Sequence, residues 1–78
     1  MAKVTIYSTP TCVYCKMAKE HFKKNNIAYT EHDVLSDLAA RKEMSEKSHQ
    51  MGVPVIDIDG HIFVGFDRSG IDKALGIK

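Results

Sequence analysis

The stretch STPTCVYCKMA carries Cys12 and Cys15, which are the whole cysteine content of this 78-residue chain. Three chemistries use so close a pair. A structural disulfide between them would close a loop of a few residues, and loop-closure stabilisation grows with loop length, so the bridge would hold the fold weakly. Zinc asks for about four ligands, but the chain has one C-x-x-C, and His21, His32, His49 and His61 show no ligand-pair spacing. A reaction centre needs a thiolate, and the position of Cys12 favours one. It falls at the start of a predicted helix, where unpaired backbone N–H groups and the positive end of the helix dipole attract an anion. That lowers a thiol pKa. Cys15 lies one turn further along the same side, placed to attack a mixed disulfide on Cys12 and expel the bound thiol. The pattern favours Cys12 as nucleophile and Cys15 as resolving thiol, with no metal at the site. Lys16 and Lys19 follow closely, either adding positive potential or only keeping the helix soluble.

Specific elements must hold these residues in place. Lys3 to Tyr7 alternates as a strand, with Val4 and Ile6 on one side and Lys3, Thr5 and Tyr7 on the other. A helix follows from Cys12 or Val13 to Lys24, with Val13, Met17, Ala18 and Phe22 as its apolar face, and Asn25-Asn26 ends it. Ile27 to His32 reads as a second strand. Ser36 or Asp37 caps a second helix running to about Lys47, with Leu38, Ala39 and Met44 turned inward. Val55 to Ile58 is a third strand. Asp59-Gly60 is a two-residue turn needing positive φ at both positions, and His61 to Val64 is the fourth strand. A third helix starts near Asp67, packs Ile71, Ala74 and Leu75, and closes at Gly76. The order β-α-β-α-β-β-α predicts an α/β fold, a four-stranded mixed sheet with three helices. Its first two strands should be parallel and its last two antiparallel. Asp57 interrupts an apolar strand. It either accepts a proton from Cys15, lies on an open part of the sheet, or pairs with a lysine.

The composition excludes several function classes. Apolar residues make up 44% of the chain and charged residues 27%, which suits a soluble globular protein. A net charge of +1 gives bulk attraction to neither nucleic acid nor membrane. The lysines at 16, 19, 23 and 24 read as a solvated helix face. At this length a fold buries only about 60% of the surface of the unfolded chain, so a single domain over 1–78 is expected, as a monomer. No apolar run approaches the roughly 20 residues of a membrane span. The chain enters its strand pattern directly after Met1-Ala2-Lys3, without an export signal. A cytoplasmic protein in a reducing compartment is expected, where such a cysteine pair is catalytic or metal-binding more often than structural.

A strand, then YSTPTCVYC opening a helix, then VP before a strand, then GFD before a last helix resembles the glutaredoxins over essentially the whole chain. The resemblance implies a thioredoxin-like fold with sheet order 2-1-3-4, the first and third helices on one face and the second on the other. It implies a cis bond between Val53 and Pro54, where the backbone of Val53 pairs with an extended substrate or with glutathione as an added strand would. It further implies substrate or glutathione contacts at Tyr14, Val53, Pro54, Gly65, Phe66 and Asp67. Three positions bear on the branch of the family. Val13 replaces the proline of C-P-Y-C, which alters the helix start and the redox poise. Thr9 stands where many members carry a lysine near the glutathione carboxylate. Asp67 is kept, and in glutathione-binding relatives an acid there holds the glutamyl ammonium while helix N–H groups hold the glutamyl carboxylate. It would also cap the helix, worth about 1 kcal/mol.

The chain also resembles the NrdH-type redoxins, which are reduced by thioredoxin reductase and feed electrons to ribonucleotide reductase. Val13 and Phe66 lean that way; Tyr14 and Asp67 lean toward glutathione use. The expected activity is that of a dithiol–disulfide oxidoreductase acting on protein disulfides or glutathione mixed disulfides. Glutathione or thioredoxin reductase would re-reduce it, and no cofactor need be bound because the cysteines carry the electrons. A different class, a [2Fe-2S] carrier in which two chains and two glutathiones supply four thiolates, gains no support from Cys15 or Val13.

Overall fold

Val4, Ile6 and Tyr7 are all buried although they point to opposite sides of one strand, so that strand is covered on both faces. The computed structural model describes residues 3–50 and 52–76. They form β1 (Val4–Ser8), α1 (Val13–Lys24), β2 (Thr30–Asp33), α2 (Leu38–Ser48), β3 (Val55–Ile58), β4 (His61–Val64) and α3 (Arg68–Leu75). The sheet order is β2-β1-β3-β4. β1 runs parallel to β2 and antiparallel to β3, and β4 is antiparallel to β3. On one face Val4, Ile6, Ile56 and Ile58 pack with Ala18 and Phe22 of α1 and Ile71 of α3. On the other, Tyr7 and Val55 pack with Val34 and with Ala40 and Met44 of α2. This is the thioredoxin-like arrangement that the resemblance implied, and the Val53–Pro54 bond is cis.

The helix faces differ from the sequence reading. α1 buries Cys15, Ala18 and Phe22, while Val13 and Met17 are exposed. Val13 and Phe22 are nine residues apart, two and a half turns at 3.6 residues per turn, so they cannot share a face. In α2 the buried residues are Ala40 and Met44, four apart, and Leu38 and Ala39 face outward. In α3 Ile71 is buried and Ala74 is exposed. β2 is shorter than predicted; Ile27 and Tyr29 pack on the core from the segment before it.

Turn and cap chemistry follows the sequence closely. Asp59 and Gly60 have φ of 50° and 91°. The Lys3 N–H donates to Asp59 Oδ1 at 2.8 Å, tying the turn to the start of β1. Asp37 caps α2 by accepting from the Ala40 N–H at 3.1 Å. Gly76 ends α3 at φ 72°.

Asp57 pairs with a lysine. Lys47 Nζ lies 2.9 Å from Asp57 Oδ2, 3.1 Å from the Tyr7 hydroxyl and 3.1 Å from Glu43 Oε1, and the Tyr7 hydroxyl donates to Glu43 at 2.6 Å. Burial pushes the Tyr7 phenol up, so it stays a donor. The Tyr7 hydrogen bond, followed by that from Lys47, holds the Glu43 carboxyl below its usual range. The bond to Asp57 leads the contacts that hold Lys47 above its own. Lys47→Met should leave the Asp57 carboxylate, mostly buried, without its cation and cost about 1–3 kcal/mol in urea denaturation at neutral pH. The depressed Glu43 carboxyl contributes stability above its unfolded pKa and loses it as pH falls, so wild-type stability should decline from roughly pH 5 downward. That decline should be shallower in Lys47→Met when followed by circular dichroism. Parallel acid curves would remove Lys47 from the account.

Candidate active site

The topology sends several chain segments to one end of the sheet. Because β1 and β2 are parallel and β3 runs against them, the last residues of β1, β2 and β4, the first of β3, and the start of every helix meet there. Cys12 is the N-cap of α1. Its backbone N–H donates to the Thr9 carbonyl at 3.3 Å, which closes the turn between β1 and α1. Its Sγ accepts from the Cys15 N–H at 3.1 Å, so the sulfur occupies the place that a Ser or Asp oxygen takes in most N-caps.

Cys12 and Cys15 are joined as a disulfide, with Cα atoms 5.2 Å apart. The two sulfurs are not equivalent. Cys12 is half-buried, whereas Cys15 is completely buried on the inner side of α1. Access from solvent is therefore to Cys12. There is no acidic residue in the first turn of α1, so nothing in that turn opposes the partial positive charge of the helix start.

The remaining sequence candidates gather around the same end. Pairing of Tyr7 with Val55 sets Pro54 beside the end of β1. Pro54 is buried and Val53 is half-buried. The Gly65 N–H donates to the Pro54 carbonyl at 2.8 Å, which ties the Val53-Pro54 segment to Gly65, Phe66 and Asp67. Gly65 has φ 82°, a conformation that a side chain would disfavour. Phe66 is half-buried and meets His21 edge-on at 5.7 Å. Asp67 is exposed and caps α3 by accepting from the Gly70 N–H at 3.2 Å. A Cβ on Gly70 would come within 2.6 Å of Asp67 Oδ2 and 3.0 Å of Phe63 Cε1, so a side chain there would make the Asp67 carboxylate shift. Tyr14 stands on the outer surface of α1, 63% exposed.

Of the two nearby lysines, Lys19 is paired. Its Nζ lies 2.7 Å from Glu31 Oε2, and that carboxylate also accepts from the buried Ser8 hydroxyl at 2.9 Å. The Lys19 hydrogen bond holds the Glu31 carboxyl below its usual range, so the pair leaves little positive potential from Lys19 for the cysteines. Lys16 is exposed and has no carboxylate within ion-pair distance among the described residues. The Ser8–Glu31–Lys19 chain was missed because it depends on the register of β1 against β2. Its one sequence signal was a serine continuing the Val4–Ile6 side of the strand. Among the described residues no group of three or more His, Cys, Asp or Glu side chains is placed to hold a metal ion, and no helix is long and apolar enough to cross a membrane.

The sequence and the fold have counterparts among known proteins. The glutaredoxin family model matches residues 4–63. A glutaredoxin-like 8.6 kDa protein of the rubredoxin operon of Clostridium pasteurianum is 50% identical over 72 residues, covering 92% of this chain and 96% of that protein. The glutaredoxin-like protein NrdH of Lactococcus lactis subsp. cremoris is 36% identical over 73 residues, covering 90% of this chain and 96% of that one. The crystal structure of a variant of the thioredoxin-like protein BC3987 superposes with a TM-score of 0.93 at 36% identity, covering 100% of both chains. With its C-x-x-C pair at the start of α1 and its sheet order intact, the chain belongs to the glutaredoxin family.

Proposed function

We propose that the chain is a small dithiol–disulfide oxidoreductase of the reducing cytoplasm, with Cys12 as nucleophile and Cys15 as resolving thiol. The observation that carries this reading is the asymmetry of the pair: Cys12 reaches solvent at a helix N-cap and receives the Cys15 N–H, while Cys15 is sealed behind it. In the reduced protein the same N–H and the α1 dipole favour Cys12 as a thiolate. The thiolate attacks one sulfur of a substrate disulfide. An S–S bond forms to Cys12, the substrate bond breaks, and the departing sulfur leaves as a thiolate that takes up a proton. Cys15 then loses its proton and attacks Cys12 Sγ, expelling the second substrate thiolate and forming the Cys12–Cys15 disulfide. Two electrons have passed from the protein to the substrate, and the proton lost by Cys15 together with one from solvent leaves both substrate sulfurs as thiols. Glutathione or a flavin-dependent reductase restores the dithiol.

Substrate recognition is assigned to the surroundings of Cys12. The backbone of Val53, before the cis Pro54, is available to pair with an extended peptide or with glutathione. Tyr14, Gly65 and Phe66 line the approach. Asp67 would hold the glutamyl ammonium of glutathione in addition to capping α3. The second reading, an electron donor to ribonucleotide reductase fed by thioredoxin reductase, is favoured by Val13, by Phe66 and by the NrdH relative.

The two thiols separate by reactivity. Iodoacetamide near neutral pH should label Cys12 of the reduced protein first, Cys12→Ser should abolish disulfide reduction, and Cys15→Ser should trap a mixed disulfide on Cys12. Peptide mapping that finds Cys15 labelled first would reverse the roles. The reductant is decided at Asp67. Asp67→Asn keeps the cap, because Asn caps about as well as Asp, but turns a charge-assisted contact into a neutral one. Turnover with glutathione should fall about three- to tenfold with little change in stability. Thr9→Lys should raise glutathione use, most at low salt where exposed charges are least screened. Unchanged glutathione turnover in Asp67→Asn, alongside rapid reduction of both proteins by thioredoxin reductase, would reduce the acid to a cap and favour the second reading.

A further inference from the structure

Six large apolar side chains are exposed among the described residues: Val13, Tyr14, Met17, Leu35, Leu38 and Val64. They are not scattered. Val13, Tyr14 and Met17 belong to the first turns of α1, Leu35 and Leu38 to the passage from β2 into α2, and Val64 to the last position of β4. The strand directions put all of them at the end of the sheet that carries Cys12. Exposed apolar residues scattered singly are ordinary, whereas a group gathered at one end marks a contact surface.

A glutathione-sized ligand accounts for only part of this group. Val13, Tyr14 and Met17 stand on α1, which covers one face of the sheet. Leu38 stands on α2, which covers the other. With about 10 Å per packed layer, the two helices are roughly 20 Å apart. A tripeptide fully extended spans only about 10 Å. Nor are the leucines waiting to fold inward. The Leu35 N–H is held by Asp33 Oδ1 at 2.9 Å, the Asp37 N–H by the Asp33 carbonyl at 2.9 Å, and Asp37 caps α2. This hydrogen-bonded corner sends Val34 and Ala40 into the core and leaves Leu35 68% and Leu38 72% exposed. Arg41 and Lys42 lie three and four residues beyond Leu38, on the same side of the helix. Both are exposed and have no carboxylate within ion-pair distance among the described residues. Lys16, beside Cys12, is in the same condition.

We propose that the Leu35–Leu38 corner, with Arg41 and Lys42, is a second docking surface for the folded body of a protein disulfide substrate. The matching surface on that substrate is an apolar patch rimmed by carboxylates. Its disulfide meets Cys12 while its body rests on the corner across the end of the sheet. The inference rests on the oxidoreductase reading above and adds the surface on which the body of a protein disulfide substrate is held. The leucines take no part in the chemistry.

The test uses pre-reduced protein in single-turnover reactions with two probes, insulin as an anionic protein disulfide and the mixed disulfide of glutathione with 2-mercaptoethanol as a small one. The double variant Leu35→Ser/Leu38→Ser should react with insulin at least about tenfold more slowly, a loss of about 1.4 kcal/mol. Its rate with the small disulfide should stay within about twofold of wild type, which also certifies its fold. Raising the salt concentration should slow the wild type on insulin more than on the small disulfide. An unchanged insulin rate, or an equal loss on both probes, would overturn the docking surface while leaving the oxidoreductase reading standing. A wild type inactive on both probes would overturn both. Concentration-dependent dimerisation that the leucine substitutions abolish, with insulin reduction unaffected, would assign the corner to a second copy of the chain and overturn the proposal.

Discussion

A cysteine sulfur caps the first helix of this protein, and the site is organised around that substitution of sulfur for oxygen. All three helices begin at the same end of the sheet, so three sets of unpaired N–H groups and three positive dipole ends are brought close together. Two of them are answered by carboxylates, Asp37 at α2 and Asp67 at α3. The third is answered by Cys12 Sγ. A carboxylate in water is ionised at neutral pH. A thiol cap is charged only when its surroundings favour it, and the helix start does so. The Cys15 N–H that caps α1 through Cys12 Sγ is also the contact that, in the proposed mechanism, favours a thiolate at Cys12 in the reduced protein.

That contact holds only if α1 is fixed on the sheet. Cys15, Ala18 and Phe22 form the buried stripe, and with the β1 and β3 side chains they lock the rotation of the helix. The rotation hides Cys15 and presents Cys12. It also forces Val13 and Met17 outward. On the proposed reading, an apolar residue at the outer start of α1 would meet a disulfide-bearing surface, and Leu35 and Leu38 extend that apolar character across the sheet end to α2. On the face away from α1, polar groups are handled differently. Lys47 gathers Tyr7, Glu43 and Asp57 into one network, so the acid within β3 has a cation of its own and is spoken for structurally.

How much of this could be read from the chain depends on the range of the interaction. Local signals carried well. The Asp59–Gly60 turn, the Asp67 and Gly76 boundaries of α3 and the bounds of α1, β3 and β4 follow from residues within a few positions of one another, where backbone sterics and capping decide the outcome. The C-x-x-C pair and the place of Cys12 at the start of α1 follow from local pattern, and they too were legible. The motif segments VP and GFD added the sheet order and the cis bond through a resemblance that extends along the chain, which periodicity alone would not have supplied.

What the sequence could not decide was the rotation of each helix about its axis and the partner of each charge. α1 offers two apolar stripes of similar length, Val13–Met17 and Cys15–Ala18–Phe22, and α2 offers Leu38–Ala39 beside Ala40–Met44. Only packing against the two faces of β1 selects one stripe over the other, because the choice is made by shape across the sheet rather than by pattern along the helix. From sequence Asp57 could be a proton acceptor, an acid on an open sheet face or the partner of a lysine, and only α2 brings Lys47 to it; Lys19 could add potential or merely keep the helix soluble, and only the β1–β2 register brings Glu31 beside it. The chain therefore determined which chemistry is available and where each element begins. Tertiary structure decided which side chains face the solvent and which charges remain unpaired, since those depend on contacts between residues far apart in sequence.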